Sequence, residues 1–226
     1  MNILLSGVVG STAYGLTGPD SDVDWLGTYA APTIQFHGLN PPVGKAASVV
    51  RNDPDVTYHE AGKLAALCLN GNPTVMELLW LDSYTHMTYH GSDLVSIRSA
   101  FLSQRRVRDA YFGYATAQFH RLLGSGLFAS KMRKRVSKHG RHLLRLLDQG
   151  HELYSTGRLT IRLADPQRYI DFGERVTEDP ESARPALAEA EAKFDATRSP
   201  LPDHPNEGAV ERWLHDVRAT YYQDPR

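Results

Sequence analysis

The stretch Gly10-Ser11-Thr12-Ala13-Tyr14-Gly15-Leu16-Thr17-Gly18-Pro19-Asp20-Ser21-Asp22-Val23-Asp24 decides how the rest of the chain is read. The apolar run Ile3-Leu4-Leu5-Ser6-Gly7-Val8-Val9 leads into it and reads as a short buried strand. The strand breaks at Gly10-Ser11, where Ser11 or Thr12 is expected to cap a short helix whose first N–H groups lack intrahelical partners. Such a turn suits a phosphate, because free donors and the positive end of a helix converge on one spot. Asp22 and Asp24 follow, separated by Val23. Alternate residues of a strand share a face, so the two carboxylates are expected side by side while Val23 points into the core. Like charges held that close repel, and a divalent cation between hard oxygen ligands, magnesium or manganese, relieves the repulsion. A phosphate-cradling turn next to such a pair implies a site for a nucleoside triphosphate.

Other readings of the stretch fail on spacing. A calcium loop opened by Asp20-x-Asp22-x-Asp24 needs Gly at its sixth position and Glu at its twelfth, where this chain has Trp25 and Ala31. No Gly-Lys-Ser/Thr ends the turn, which excludes a P-loop, and Gly7, Gly10 and Gly15 do not fit Gly-x-Gly-x-x-Gly. A solvated acidic turn leaves unexplained why both aspartates stand where a strand resumes at Trp25-Leu26.

The same residues resemble a known signature. Gly10-Ser11, the gap, and Asp22-Val23-Asp24 look like the mark of the DNA polymerase β nucleotidyltransferase superfamily. Ala13-Tyr14 and Pro19-Asp20-Ser21 narrow the resemblance to predicted nucleotidyltransferases related to RNA-repair-associated polymerase-β-like proteins. Two further segments resemble that family: Gly71-Asn72-Pro73-Thr74-Val75-Met76-Glu77-Leu78-Leu79, and Lys138-His139-x-x-His142-Leu143-x-Arg145-Leu146-Leu147. The resemblance implies an α+β fold, a small mixed sheet with helices over about residues 1–90. A helical domain over 91–226 would close over the nucleotide. It also implies transfer of a nucleoside monophosphate from an NTP to an acceptor hydroxyl or phosphate, with release of pyrophosphate. An RNA end, a small molecule or a protein side chain are the acceptors to weigh. Two readings compete: a nucleotide-binding regulatory module without turnover, and a toxin-type transferase acting on tRNA or protein.

Chemistry of this kind wants a third acid on a neighbouring strand. Asp55, at the head of Asp55-Val56-Thr57-Tyr58, is the leading candidate, with Asp53 and Glu60 as rivals. The expected assignments are therefore Asp22, Asp24 and Asp55 as catalytic and metal-holding carboxylates, and Gly10 and Ser11 as phosphate binders. At helical spacing Lys138, His142 and Arg145 share a face, together with Arg141, and form a cationic ridge for the triphosphate tail. Glu77 lies on an otherwise apolar helix and needs a partner, a basic residue of the second half or the substrate. Zinc through His139 and His142 lacks further ligands at suitable spacing.

Composition sets outer bounds. The 226 residues suffice for one ample core or two small ones, and a net charge of −1 announces neither nucleic acid nor membrane. That average hides a local excess: residues 131–145 hold seven Lys or Arg and no acid, which reads as a triphosphate ridge, a nucleic-acid groove or a solvated helix face. A single cysteine, Cys68, fits a reducing compartment and core packing. No run is long enough to span a membrane and the Met1 end lacks a signal sequence, so a cytoplasmic protein is expected.

Pattern and punctuation place the remaining elements. A strand is expected over 25–31, a long loop over 33–52, a strand over 55–58, and helices over 60–69 and 75–81. A helix capped by Ser92-Asp93, a long helix over 104–123, a hinge at 124–126 and a basic helix over 131–155 come next. Thr160-Ile161-Arg162-Leu163 reads as a short strand, and two helices separated by residues 200–205 end the chain.

Overall fold

The computed structural model describes residues 1–18, 21–123 and 130–223, with the side chains of 130–132 left out. Pro19 and Asp20 and the expected hinge at 124–126 lie outside the described residues, as does the Lys131 side chain. The chain divides into two compact units, residues 1–102 with 205–226, and residues 103–204.

The first unit is built on a five-stranded mixed sheet. Its strands are β1 (Asn2–Val9), β2 (Asp24–Ala30), β3 (Ser48–Asn52), β4 (Asp55–Glu60) and β5 (His86–Met87), in the order β3-β4-β2-β1-β5. β2 and β4 run parallel, with Trp25 opposite Val56 and Tyr29 opposite Glu60, and every other pairing is antiparallel. Between β1 and β2 stands the five-residue helix α1 (Gly10–Tyr14), closed by Gly15 in the left-handed region at φ 77°. The expected long loop over 33–52 conceals β3. Ser48-Val49-Val50 forms a hairpin with β4, and only its pairing partner makes that short edge segment a strand.

Helix α2 (Ala61–Leu69) starts where β4 ends, and the Glu60 carboxylate accepts from the Gly62 N–H at 2.8 Å as its cap. Helix α3 (Pro73–Met76) is capped by Asn72 Oδ1, which accepts from Thr74 N and Val75 N, and it tightens into a 3₁₀ turn over Glu77–Trp80. Helix α4 (Tyr89–Ser96) begins one turn earlier than Ser92-Asp93 suggest, because the Thr88 hydroxyl accepts from Gly91 N. Gly91 is required there: a Cβ would stand 2.2 Å from the Leu4 carbonyl oxygen.

The second unit is all helical. It comprises α5 (Gln104–Leu123), α6 (Ser130–Thr156), α7 (Pro166–Glu178) and α8 (Arg184–Ala196). Tyr111, Leu122, Leu143, Leu146, Leu153, Phe172, Val176 and Phe194 form its core. Glycines allow the close crossings: a Cβ on Gly150 would meet the Tyr111 side chain at 2.5 Å, and one on Gly140 would meet Val176 at 2.3 Å. The expected strand over 160–163 is loop instead. Gln149 Nε2 takes the Thr160 carbonyl at 2.8 Å and Glu152 takes the Thr160 N–H at 3.0 Å, so this backbone is satisfied without a sheet.

Helix α9 (Glu207–Thr220) returns to the first unit, so the units do not divide at 90/91 as expected. Its Trp213 Nε1 donates to the His90 carbonyl at 2.9 Å. Its Arg218 grips the buried Glu60 through both terminal guanidinium nitrogens, at 2.6 and 2.9 Å. The boundary also moves past 90 because Leu94, Phe101 and Leu102 are buried in the first unit's core.

Candidate functional site

The site grows from the meeting of β1, α1 and β2. Val9, the last residue of β1, pairs with Asp24, the first of β2. Gly10 follows at φ +67°, and a Cβ there would stand 2.1 Å from Asp24 Oδ2. Both facts require glycine, the first by backbone conformation and the second by space. The Asp24 carboxylate is thus held against the first residue of α1. That helix has no side-chain cap, since Val9 occupies the capping position, so neither Ser11 nor Thr12 acts as the expected cap. The capping residue supplies no side-chain acceptor to the first-turn N–H groups, the kind of helix start at which an anion can bind.

Asp55 heads β4 beside β2. Extending the parallel register by one residue from Trp25↔Val56 sets Asp24 level with Asp55, and residues level on neighbouring strands share a face. Two of the expected acids therefore come to the same end of the sheet on the same side. Asp22 lies in the irregular segment just before β2 and is exposed. Val23 corrects the expectation that it points into the core: it is 43% exposed, because the strand starts only at Asp24.

The rivals for the third acid separate by environment. Glu60 is 2% exposed and its carboxylate is consumed by Arg218 and the Gly62 N–H, which leaves it a structural role. Asp53 sits in the turn between β3 and β4, outside the paired strand. Asp22, Asp24 and Asp55 offer hard carboxylate oxygens, a donor set that fits magnesium or manganese. Among the described residues, however, no group of three or more His, Cys, Asp or Glu stands close enough to form a metal cage.

A tie that the sequence did not reveal supports α1 from beneath. The Tyr14 hydroxyl, on the last residue of α1, donates to Glu77 Oε2, and both side chains are buried. Two of the quoted segments, Ala-Tyr-Gly-Leu and Gly-Asn-Pro-x-x-x-Glu-Leu-Leu, are thereby one structural feature. The oddity of Glu77 on an apolar helix was the available signal, and a tyrosine of the opening stretch is one answer to it.

In the second unit the expected cationic ridge is mixed. Lys138 is exposed, but Arg145 is only 2% exposed and donates to Gln149 Oε1 at 2.6 Å and to His142 Nδ1 at 2.8 Å. His142 must therefore accept, and it is neutral. Burial first, and then the Arg145 guanidinium, push its pKa down to about 3. Arg145 and His142 thus belong to a packed polar network that continues through Gln149 to the Thr160 carbonyl, unlike Lys138. His139 Nδ1 donates to Gln118 Oε1 at 2.8 Å, and its pKa is lowered by burial and by the nearby Arg121, Arg135 and Lys138.

No helix among the described residues is long and apolar enough to cross a membrane. A family model described as "RlaP: RNA repair pathway DNA polymerase beta family" matches residues 1–178. That span takes in the α1 turn, all five strands and the helices through α7. No curated protein matches the chain.

Proposed function

From the chain's membership of the RNA repair pathway DNA polymerase beta family, we propose that it is a nucleotidyltransferase that moves a nucleoside monophosphate from an NTP to the end of an RNA strand. The observation that carries this reading is the Asp24 carboxylate lodged against Gly10 at the uncapped start of α1. Donors for phosphate and ligands for a cation are needed side by side in such a reaction, and the helix start with its adjacent carboxylate supports that reading.

In the reaction an acceptor oxygen attacks the α-phosphorus of the NTP. The bond from that phosphorus to the oxygen leading to the β-phosphate breaks, and pyrophosphate departs. Asp22, Asp24 and Asp55 would hold magnesium or manganese, which supplies charge neutralisation on the phosphates. The backbone N–H groups of Ser11 and its neighbours bind the distal phosphates, with the Ser11 hydroxyl as a further donor. Asp55 orients the acceptor and takes its proton. Little covalent work falls to the protein, and rate comes from position and preorganised charge.

The test is transfer of label from α-labelled NTPs to RNA in the presence of magnesium, with pyrophosphate release followed in parallel. Asp22→Asn/Asp24→Asn should abolish both while the circular dichroism spectrum is kept; a double variant with full activity refutes the reading. One observation favours a second reading, a nucleotide-binding module without turnover: no three-acid cluster occurs among the described residues. That module would bind NTP and release no pyrophosphate in the same assay.

A further inference from the structure

The second unit carries a cluster of exposed cations along α5 and α6. Gln118 of α5 and His139 of α6 are hydrogen-bonded at 2.8 Å, which fixes the last turns of α5 against the first half of α6. Arg121 stands one turn beyond Gln118, while Arg135 and Lys138 stand within one turn of His139. All three cations are exposed, and the field of all three reaches the His139 ring. Lys134 adds a fourth exposed cation on the same stretch of α6.

Two acids of the flanking segment are already paired elsewhere. Glu178 is bound by Arg133 at 3.1 Å and Glu181 by Arg184 at 2.7 Å. Neither Arg135 nor Lys138 has an ion-pair partner among the described residues. Like charges gathered from two helices repel one another, and the field they create favours a polyanion. A repeating phosphodiester chain matches cations spread along a helix and across to its neighbour, whereas one phosphate would engage a single guanidinium. Arginine, which supplies two of the three, presents a planar fork suited to phosphate oxygens.

We propose that Arg121, Arg135 and Lys138 form a binding surface for the phosphodiester backbone of a nucleic-acid strand. The inference rests on the transfer reading only in taking that strand to be the acceptor. The contact is to backbone and is expected to carry no base preference.

The test uses the full chain, without nucleotide and with divalent cations chelated. Anisotropy is followed for fluorescein-labelled single strands of about 20 nucleotides, one RNA and one DNA, across a salt series. Binding should weaken linearly on a log–log salt plot, and for single strands each phosphate contact contributes roughly 0.7 to the slope. Arg121→Gln/Arg135→Gln, confirmed as folded by circular dichroism, should therefore lower the slope by about 1.4. Arg212→Gln on α9 should leave it unchanged. RNA and DNA binding alike, or RNA binding more tightly, both support the surface. Failure of either strand to bind, an unaltered slope in the double variant, or equal competition by polyglutamate, which would indicate an acidic protein partner, overturns it. Because nucleotide and metal are absent, these outcomes are independent of whether transfer occurs.

Discussion

Replacing Arg218 by Ala should destabilise the first unit by about 3–5 kcal/mol, the range for removing one partner of a buried ion pair. The figure follows from the surroundings of Glu60. Its side chain is 2% exposed and that of Arg218 is 18% exposed, so water cannot replace the lost guanidinium. Two hydrogen bonds, at 2.6 and 2.9 Å, disappear together, and only the Gly62 N–H at 2.8 Å remains on the carboxylate. The guanidinium also lies over the Phe36 ring, 4.1 Å from its centroid, a contact that typically contributes about 0.5–1 kcal/mol. For a unit of this size the loss corresponds to roughly 10–20 °C in Tm. The assay is selective, because all three tryptophans, Trp25, Trp80 and Trp213, lie in the first unit. Tryptophan fluorescence in a urea titration therefore reports on that unit by itself. Arg218→Lys should recover only part of the loss, since it keeps the charge but not the fork or the stacking. Glu60→Leu/Arg218→Met should be far less damaging than Arg218→Ala, because no buried charge is left alone. A change below about 1 kcal/mol in Arg218→Ala would mean that the pair behaves as a solvated one, and the reasoning would fail.

Gly10→Ala should cut transfer at least about a hundredfold, the cost of misplacing a catalytic group by roughly 1 Å, because the new methyl would stand 2.1 Å from Asp24 Oδ2; single-turnover kinetics with labelled NTP would check it. Tyr14→Phe should destabilise the first unit by about 1–3 kcal/mol by removing a donor from the buried Glu77, read by the same fluorescence titration. His142 makes the second unit acid-sensitive. Its folded pKa is depressed to about 3, so below its ordinary value of 6.5 the unfolded chain binds a proton that the folded chain refuses. Stability is therefore full above pH 6.5 and falls as pH drops towards 3, by about 2 kcal/mol between pH 7 and 5. Circular dichroism at 222 nm should show this slope, and His142→Gln should flatten it.

Local chemistry was legible wherever a signal lay within a few residues. The turn at Gly10, the strand through 25–30 and the long helices α5 and α6 all follow from spacing, glycines and apolar periodicity. What escaped was whatever depends on a distant partner. β3 is a strand only because β4 lies beside it, and the 160–163 segment is not one because Gln149 and Glu152 occupy its backbone. Glu60 looked like a rival catalytic acid until Arg218, 158 residues away, appeared beside it. The same distance explains why α9 joins the first unit and why the boundary fell elsewhere than 90/91. At the candidate site the Gly10–Asp24 contact turns a spacing into a physical cause, since only glycine admits that carboxylate. Arg145 resisted sequence reading for a simpler reason: helical spacing sets which residues share a face but not whether that face is wet, and Arg145 is buried.

The claim on which the account turns is that Asp22, Asp24 and Asp55 gather a divalent cation at the phosphates of a nucleotide. Manganese titration by electron paramagnetic resonance, with and without a non-hydrolysable NTP, measures this directly through the loss of free Mn²⁺ signal. The account predicts binding that tightens when nucleotide is present and disappears in Asp24→Asn and in Asp55→Asn. Manganese uptake that is indifferent to nucleotide, or that survives both substitutions, would contradict it.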